Sequence, residues 1–176
     1  YSPNDPQYNS QAFLQTIQAA QAWDITKGSK EVLIGIVDSG VDWDHQDLRD
    51  NIWQNLGEDA DGDGRTIEFI DGQWVLDPGD LNGVDDDNHD FNPNTFVDDL
   101  IGWDFVGSDE GNPAQDNDPD IANGHYHGTH VAGLAAAVTD NSIGIAGTGF
   151  NCKLMISKHG PERSDALTLY NPYAAI

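Results

Sequence analysis

Apolar residues are concentrated in a few short segments of the chain, and their spacing predicts a core of strands and helices. The segment Glu31 to Val37 is apolar after its first residue, with one glycine, which is typical of a strand buried on both faces of a parallel sheet. A second segment of this kind covers Lys153 to Ser157. Residues 11–24 have apolar positions at helical spacing and predict an amphipathic helix. Its apolar face comprises Phe13, Leu14, Ile17 and Ala20 or Trp23.

Predicted helices and strands alternate along the chain, and this order indicates the fold class. His127 to Val138 forms a second helical segment, whose small residues allow it to lie close under the sheet. These residues are Gly133, Ala135, Ala136 and Ala137. Alternation of strands with helices indicates an α/β fold with a mostly parallel sheet. Another helix is expected to begin at Tyr170, and because Ile176 follows within about two turns, we expect the chain to stop inside an element.

Residues 51–100 have a different composition from the rest of the chain. They are rich in Asp, Asn and Gly with isolated apolar residues, which predicts an insertion of loops rather than a layer of the core. Between Glu58 and Asp120 there are 20 acidic residues and one basic residue, Arg65. Such a stretch repels itself unless it is hydrated, disordered or neutralised by cations.

The overall charge limits the classes of partner. The 176 residues carry 7 Lys and Arg against 31 Asp and Glu, a formal net charge of -24. This charge argues against binding to nucleic acid or to an anionic membrane, and no apolar run reaches the roughly 18 residues that a membrane helix needs. The single Cys152 excludes an internal disulfide.

Two short strings contain residue types that work together in acid–base catalysis. Asp38 lies in VLIGIVDSG, at the carboxyl end of the first predicted strand, where open α/β sheets place functional groups. His127 opens HGTHVAG at the start of a predicted helix. Taken alone, Asp38 is equally well explained as a turn cap, and His127 is better explained as an inert histidine. Together they predict a catalytic pair. His130 follows His127 by three residues without an intervening Glu, so a zinc helix is not indicated.

Six segments in order resemble the subtilisin-like serine proteases, and most closely their thermitase branch. The segments are YSPNDPQYNSQ, IQAAQAWDITKGS, VDSGVDWDHQDL, GWDF, HGTHVAGLAAAVTDNSIGIAGT and CKLMISK. The resemblance implies a three-layer α/β fold with a mostly parallel sheet, here incomplete at its C-terminal side. Residues 1–176 are then the N-terminal part of one catalytic domain, with the acidic insertion at about 51–100.

The resemblance also implies a function: a secreted, calcium-stabilised serine endopeptidase that acts on polypeptides. His127 would be the general base and Asp38 would orient it. No serine in a GTSMA-like setting is present, so the nucleophile and the family's oxyanion asparagine are expected beyond Ile176, and the chain alone is expected to be inactive. Partners would be the missing C-terminal half or a propeptide. The alternatives are a calcium-binding pseudoenzyme and one half of a two-chain enzyme.

Calcium is the cofactor that the resemblance implies, and one site draws on three parts of the chain. Asp5 from the N-terminal arm and Asp47 from HQDL would supply carboxylates. The loop TDNSIGI would supply further oxygens, from the side chain of Asn141 and from the carbonyls of Thr139, Ile143 and Ile145. The alternative is a plain surface loop after a helix.

The acidic insertion offers further calcium ligands. DADGDG places Asp59, Asp61 and Asp63 at positions one, three and five of a calcium loop, but position twelve is Ile70 instead of Glu. A calcium loop of another type could draw on Asp71, or on the residues from Asp85 to Asp87. Residues 97–99 could close a second loop with the segment DDDN that starts at Asp85. The alternative is a hydrated acidic surface. In GWDFVGSD, which resembles another calcium loop of the branch, the expected ligands are Asp104 and Asp109.

Overall fold

The computed structural model describes residues 1–87, 96–107, 115–121, 124–160 and 169. Its helices are α1 (Ala12–Thr16), α2 (Ala19–Ile25) and α3 (His127–Ala136), with short 3-10 helices at Tyr8–Ser10 and Arg49–Asn51. Its strands are β1 (Leu33–Asp38), β2 (Ile67–Ile70), β3 (Gln73–Leu76), β4 (Gly102–Asp104) and β5 (Lys153–Lys158).

The main sheet has the order β1-β5-β4, and all three of its strands are parallel. The register pairs Asp38 with Lys158 and Lys158 with Asp104, so these residues lie side by side at the carboxyl edge. This edge is where a parallel sheet presents functional groups. The predicted α/β class with a parallel sheet is therefore confirmed.

The core lies between this sheet and α3. Ile156 and Leu154 of β5 are buried against Ala132 and Ala136 of α3, and the small alanines bring the helix axis close to the strands. The predicted helix to Val138 ends earlier, at Ala136, because the backbone of Ala137 turns to an extended conformation with ψ of 149°.

Burial of the first strand differs from the prediction at its N-terminal end. Leu33 is 44% exposed, whereas Ile36 is 4% exposed. The expectation of a strand covered on both faces is therefore wrong for this half. β1 pairs only with β5 and is therefore an edge strand of the described sheet.

The single amphipathic helix predicted over residues 11–24 is wrong. Gln18 adopts a left-handed conformation with φ of 57° and separates α1 from α2. This residue interrupts the helical hydrogen bonds and rotates the apolar face of the second helix. As a result, Ile17 is 54% exposed, while Ala19 and Trp23 are buried. Leu14 joins them in a second apolar cluster with Ala146 and Phe150.

The acidic insertion contains a β-hairpin, so the prediction of loops is wrong for residues 67–76. β2 and β3 pair in antiparallel register around the turn Asp71–Gly72, where both φ angles are positive. Ile67 is buried in the main core, with Trp74 and Leu76 packed against it. The hairpin therefore covers one side of the core. The helix expected from Tyr170 lies outside the described residues.

Within the described ranges, no helix has the length and apolar character needed to cross a membrane.

Candidate active site

Asp38 and His127 form a hydrogen-bonded pair at the carboxyl edge of the sheet. The distance between Nδ1 of His127 and Oδ1 of Asp38 is 2.7 Å. The Asp38 side chain is 10% exposed and the His127 side chain 65% exposed. A buried carboxylate thus holds one nitrogen of an accessible imidazole, and Nε2 remains for a reacting group. This is the arrangement of a general base and its orienting carboxylate.

Two glycines allow the first turn of α3 to approach the end of β1. A Cβ at Gly128 would lie within 3.0 Å of the carbonyl oxygen of Gly40. Gly40 itself has a φ of 96°, which favours glycine. Ser39 then joins the two segments, because its hydroxyl oxygen accepts the N–H of Gly128 at 3.1 Å. The local sequence DSG therefore positions the histidine as well as the aspartate.

A group of acidic residues lies close to this turn, where the backbone of Asp120 packs against Gly40. Asp120 has a pKa raised to about 6, first by burial and then by the charges of Asp118, Asp42 and Asp44. Its Oδ1 accepts the N–H of Ile121 at 2.7 Å, which favours the charged form but does not offset the other effects. Asp120 therefore titrates closer to neutral pH than an ordinary aspartate does.

Asp104, a predicted calcium ligand, is buried in an ion pair at the same edge. Its Oδ2 lies 2.9 Å from Nζ of Lys158, and both side chains are almost fully enclosed. Its Oδ1 accepts the N–H groups of Val106 and Gly107 at 2.8 and 2.9 Å. Both carboxylate oxygens thus have protein partners. Asp109, its predicted companion, lies outside the described residues.

The structure brings together the two carboxylates of the first predicted calcium site. Asp5 and Asp47 are 4% and 3% exposed, and the charge of Asp5 contributes, after burial, to a raised pKa of Asp47. Oδ1 of Asp5 is buried without a hydrogen-bond partner. Two acidic groups close to each other inside a protein normally need a cation or a proton.

The loop after α3 wraps around Asp47. Asp47 accepts hydrogen bonds from the Asn141 side chain at 2.8 Å and from the N–H of Ile145 at 2.9 Å. Oδ1 of Asn141 accepts the N–H of Ile143 at 2.7 Å, and the Thr139 hydroxyl oxygen accepts the N–H of Gly147. The predicted ligand residues therefore share one small region.

In the described part of the insertion, residues 51–87 and 96–100, carboxylates form three groups whose ligand oxygens lie within 4.8 Å of one another. One is the predicted set Asp59, Asp61 and Asp63; the others are Glu58 with Asp87 and Asp99, and Asp63 with Glu68 and Asp77. Asp85, also predicted, is buried but belongs to none of these groups.

Sequence reasoning missed Glu58, which links three parts of the insertion. It is fully buried, and its carboxylate accepts the N–H groups of Asp86, Asp87 and Asp98 at 2.9, 3.0 and 3.2 Å. Its partners lie 28 to 40 residues away in sequence. No local pattern around Glu58 indicates this role.

The chain matches the family model described as the subtilase family over residues 29–174. It is 35% identical over 147 residues to halolysin from Haloferax mediterranei, and this alignment covers 84% of the present chain and 19% of halolysin. It is 36% identical over 149 residues to thermitase from Thermoactinomyces vulgaris, covering 84% and 33%. It is 39% identical over 125 residues to subtilisin-like protease 1 from Plasmodium falciparum, covering 71% and 13%.

The chain therefore belongs to the subtilase family of serine proteases. The aligned regions span a third or less of the length of these three relatives. The resemblance seen in the sequence motifs is confirmed at the level of the family.

Gly128→Ala should disrupt the contact between α3 and β1. The added Cβ meets backbone that cannot move aside easily, so we expect a loss of about 1–3 kcal/mol in unfolding free energy and a longer distance between Asp38 and His127. Gly133→Ala, in the same helix, would place its Cβ 3.4 Å from Ile145 and is the matched control. Urea denaturation and a crystal structure of each variant provide the measurements, and equal stability of the two variants would contradict the packing explanation.

Asp120→Asn should alter how stability depends on pH. Because the folded-state pKa is about 6, above the ordinary aspartate value, folding favours the protonated carboxyl, and this contribution is lost as pH rises from about 4 through 6. Asparagine keeps the group neutral, so the variant should gain stability relative to the native chain across that interval. Urea midpoints at several pH values measure the difference, with exposed Asp71→Asn as the control for loss of one charge. A stability difference that stays constant with pH would contradict the assignment.

Proposed function

We propose that this chain supplies the aspartate and histidine of a serine endopeptidase of the subtilisin type. The observation that carries the proposal is the 2.7 Å contact between a buried Asp38 and an exposed His127. Membership of the subtilase family supports it, since the two residues lie in that family's motifs. The nucleophilic serine and the oxyanion asparagine would come from polypeptide outside these 176 residues.

Each residue of the pair has a defined task in peptide hydrolysis. With Nδ1 held by Asp38, Nε2 of His127 would take the proton of the serine hydroxyl as that oxygen attacks the peptide carbonyl. The same nitrogen would then give the proton to the leaving amine, and an acyl-enzyme would remain for hydrolysis by water. Asp38 would stabilise the imidazolium formed between these steps. The proposed substrate class is polypeptide, and further partners are a C-terminal part of the domain or a propeptide.

We also propose calcium as the cofactor at the site of Asp5 and Asp47. The residues fit the ion, because Asp5 has a buried oxygen without a partner and both carboxylates lack a cationic neighbour at hydrogen-bond distance among the described residues. Asn141 and the carbonyls of Thr139, Ile143 and Ile145 would complete an all-oxygen ligand set. A bound cation would offset the repulsion between the two carboxylates and tie the N-terminal arm to the body.

A calcium requirement of this kind supports a secreted, extracellular location, where calcium-binding modules work at about 0.1–1 mM affinity. Recovery of the protein from the culture medium of its source cells, and not from the cell lysate, would test this location.

His127→Ala should abolish activity in a form of the protein that includes the serine. Loss of the general base costs about six orders of magnitude in turnover in subtilisin, whose triad has the same three residue types, so we expect a loss of this order here. His130→Ala, on the exposed part of the same helix, is the matched control and should retain most of the activity. The 176-residue chain alone should not react with a fluorophosphonate probe. Similar turnover for the two variants would refute the role of His127.

Asp47→Asn should reduce the stabilisation that calcium confers. An ion at a hundredfold excess over its dissociation constant adds about 2.7 kcal/mol, and loss of a charged ligand should remove much of this gain. Asp5→Asn should also reduce this stabilisation. The double variant should lose less stability than the sum of the two single losses, since both residues act through one ion. Melting curves with calcium and with chelator measure these effects, and the exposed Asp44→Asn is the control. Equal losses in calcium and chelator would contradict the ligand assignment.

A further inference from the structure

Two buried carboxylates in the acidic insertion each have an oxygen without a hydrogen-bond partner. Asp77 follows β3 and is 2% exposed, and Asp80 is fully buried. In each residue Oδ2 is the unpartnered atom. Oδ1 of Asp77 accepts the N–H of Gly79 at 2.7 Å, and Oδ1 of Asp80 accepts the N–H of Ala60 at 2.8 Å. Leaving a buried carboxylate oxygen unpaired costs several kcal/mol unless a positive group or a proton is present.

The oxygens of other acids lie close to Asp77. A carboxylate oxygen of Asp77 lies within 4.8 Å of oxygens from Asp63 and Glu68. Asp61 of the loop also lies close to Asp77. A Cβ added at Gly79 would lie within 3.0 Å of Oδ2 of Asp61 and 3.1 Å from Oδ1 of Asp77. Glycine at position 79 therefore allows the carboxylates of the loop and of the hairpin to come together.

Among the described residues, the positive charge in contact with this group belongs to Arg65. Arg65 contacts Asp63 at 2.7 Å and Glu68 at 2.6 Å, and its side chain is 55% exposed. None of its ion pairs among the described residues reaches Asp77 or Asp80. One exposed guanidinium therefore does not offset the buried charges.

The loop itself has a fixed shape. The carboxylate of Asp59 accepts the N–H groups of Gly62, Asp63 and Gly64 at 2.9, 3.1 and 2.9 Å. These bonds hold the loop in a curved conformation. In this conformation Asp63 lies close to Glu68 and Asp77, and Asp61 lies close to Gly79. Preorganised oxygens bind a cation at a lower entropic cost than mobile ones.

We propose that a calcium ion binds between the loop of residues 59–64 and the β2–β3 hairpin, with Asp77 as the buried ligand. Asp61, Asp63 and Glu68 supply the remaining carboxylates, and Asp80 adjoins them. The sequence pattern of the loop lacks the bidentate acid at position twelve, and in this arrangement Asp77, which directly follows β3, takes its place. The oxygen-only donor set and the irregular geometry suit Ca²⁺ better than Mg²⁺, which demands a tight octahedron and keeps its water.

This site is separate from the site of Asp5 and Asp47 and needs no peptidase activity. Its consequence is mechanical, since the ion joins the acidic loop to a hairpin that packs Ile67 into the main core. Calcium should therefore protect the backbone amides of residues 59–64 and of β3 from hydrogen exchange in the native chain. Equal exchange in chelator and in calcium would overturn the proposal.

Calorimetric titration with calcium chloride provides the second test. Asp77→Asn should bind one calcium ion fewer than the native chain, whereas Asp71→Asn, the same change at the exposed turn of the same hairpin, should bind the native number. Asp61→Asn removes an exposed ligand without disturbing the core, so this variant replaces Asp77→Asn if the latter does not fold. The calcium affinity of this site should fall about tenfold or more in Asp61→Asn. Native stoichiometry in Asp77→Asn, or native affinity in Asp61→Asn, would overturn the proposal. Asp47→Asn should still bind calcium at the loop and hairpin. The titration therefore distinguishes loss of this site from loss of the site at Asp5 and Asp47.

Discussion

The close backbone contact between Gly128 and Gly40 determines how Asp38 and His127 meet. A side chain at position 128 would meet the carbonyl of Gly40, so the first turn of α3 can reach the end of β1 only because glycine is present. Asp38 then bonds His127 at 2.7 Å, and the main sheet supplies the rigid support. The contact between Asp38 and His127 thus results from packing between a helix and a strand.

Excess negative charge is the second constraint, and the protein meets it mainly with backbone N–H groups. Glu58 alone accepts three of them, and Asp59 does the same in its loop. The buried pair of Lys158 and Asp104 is the exception at the sheet edge. Where the structure describes the chain, buried carboxylates with an unpartnered oxygen mark the places where backbone donors are not sufficient; they are Asp5, Asp77 and Asp80. A bound cation or a proton would offset these charges.

The sequence predicted the parts of the molecule that local patterns determine. Asp38 and His127 come together as expected, because both lie at the ends of elements whose apolar spacing is clear. The break at Gln18 was not predictable, since the burial of Trp23 against Phe150 decides which helical face is apolar. The β2–β3 hairpin was missed although a local signal was present, since Asp71–Gly72 is a typical hairpin turn between two short apolar segments. The acidic composition of the surrounding residues outweighed this signal. Asp77 was missed for a different reason: its neighbours Asp61 and Asp63 come from another segment of the chain.

If His127 acts as a base, Asp38 must fix the tautomer of its imidazole ring. Nitrogen-15 NMR of the imidazole tests this directly, because the neutral ring shows which nitrogen carries the proton. We expect a proton on Nδ1, donated to Asp38, and a free lone pair on Nε2. In Asp38→Asn this preference should be lost or reversed, as expected when the carboxylate acceptor is replaced. A native chain whose neutral His127 carries its proton on Nε2, or whose tautomer is unchanged in Asp38→Asn, would contradict the role assigned to this pair.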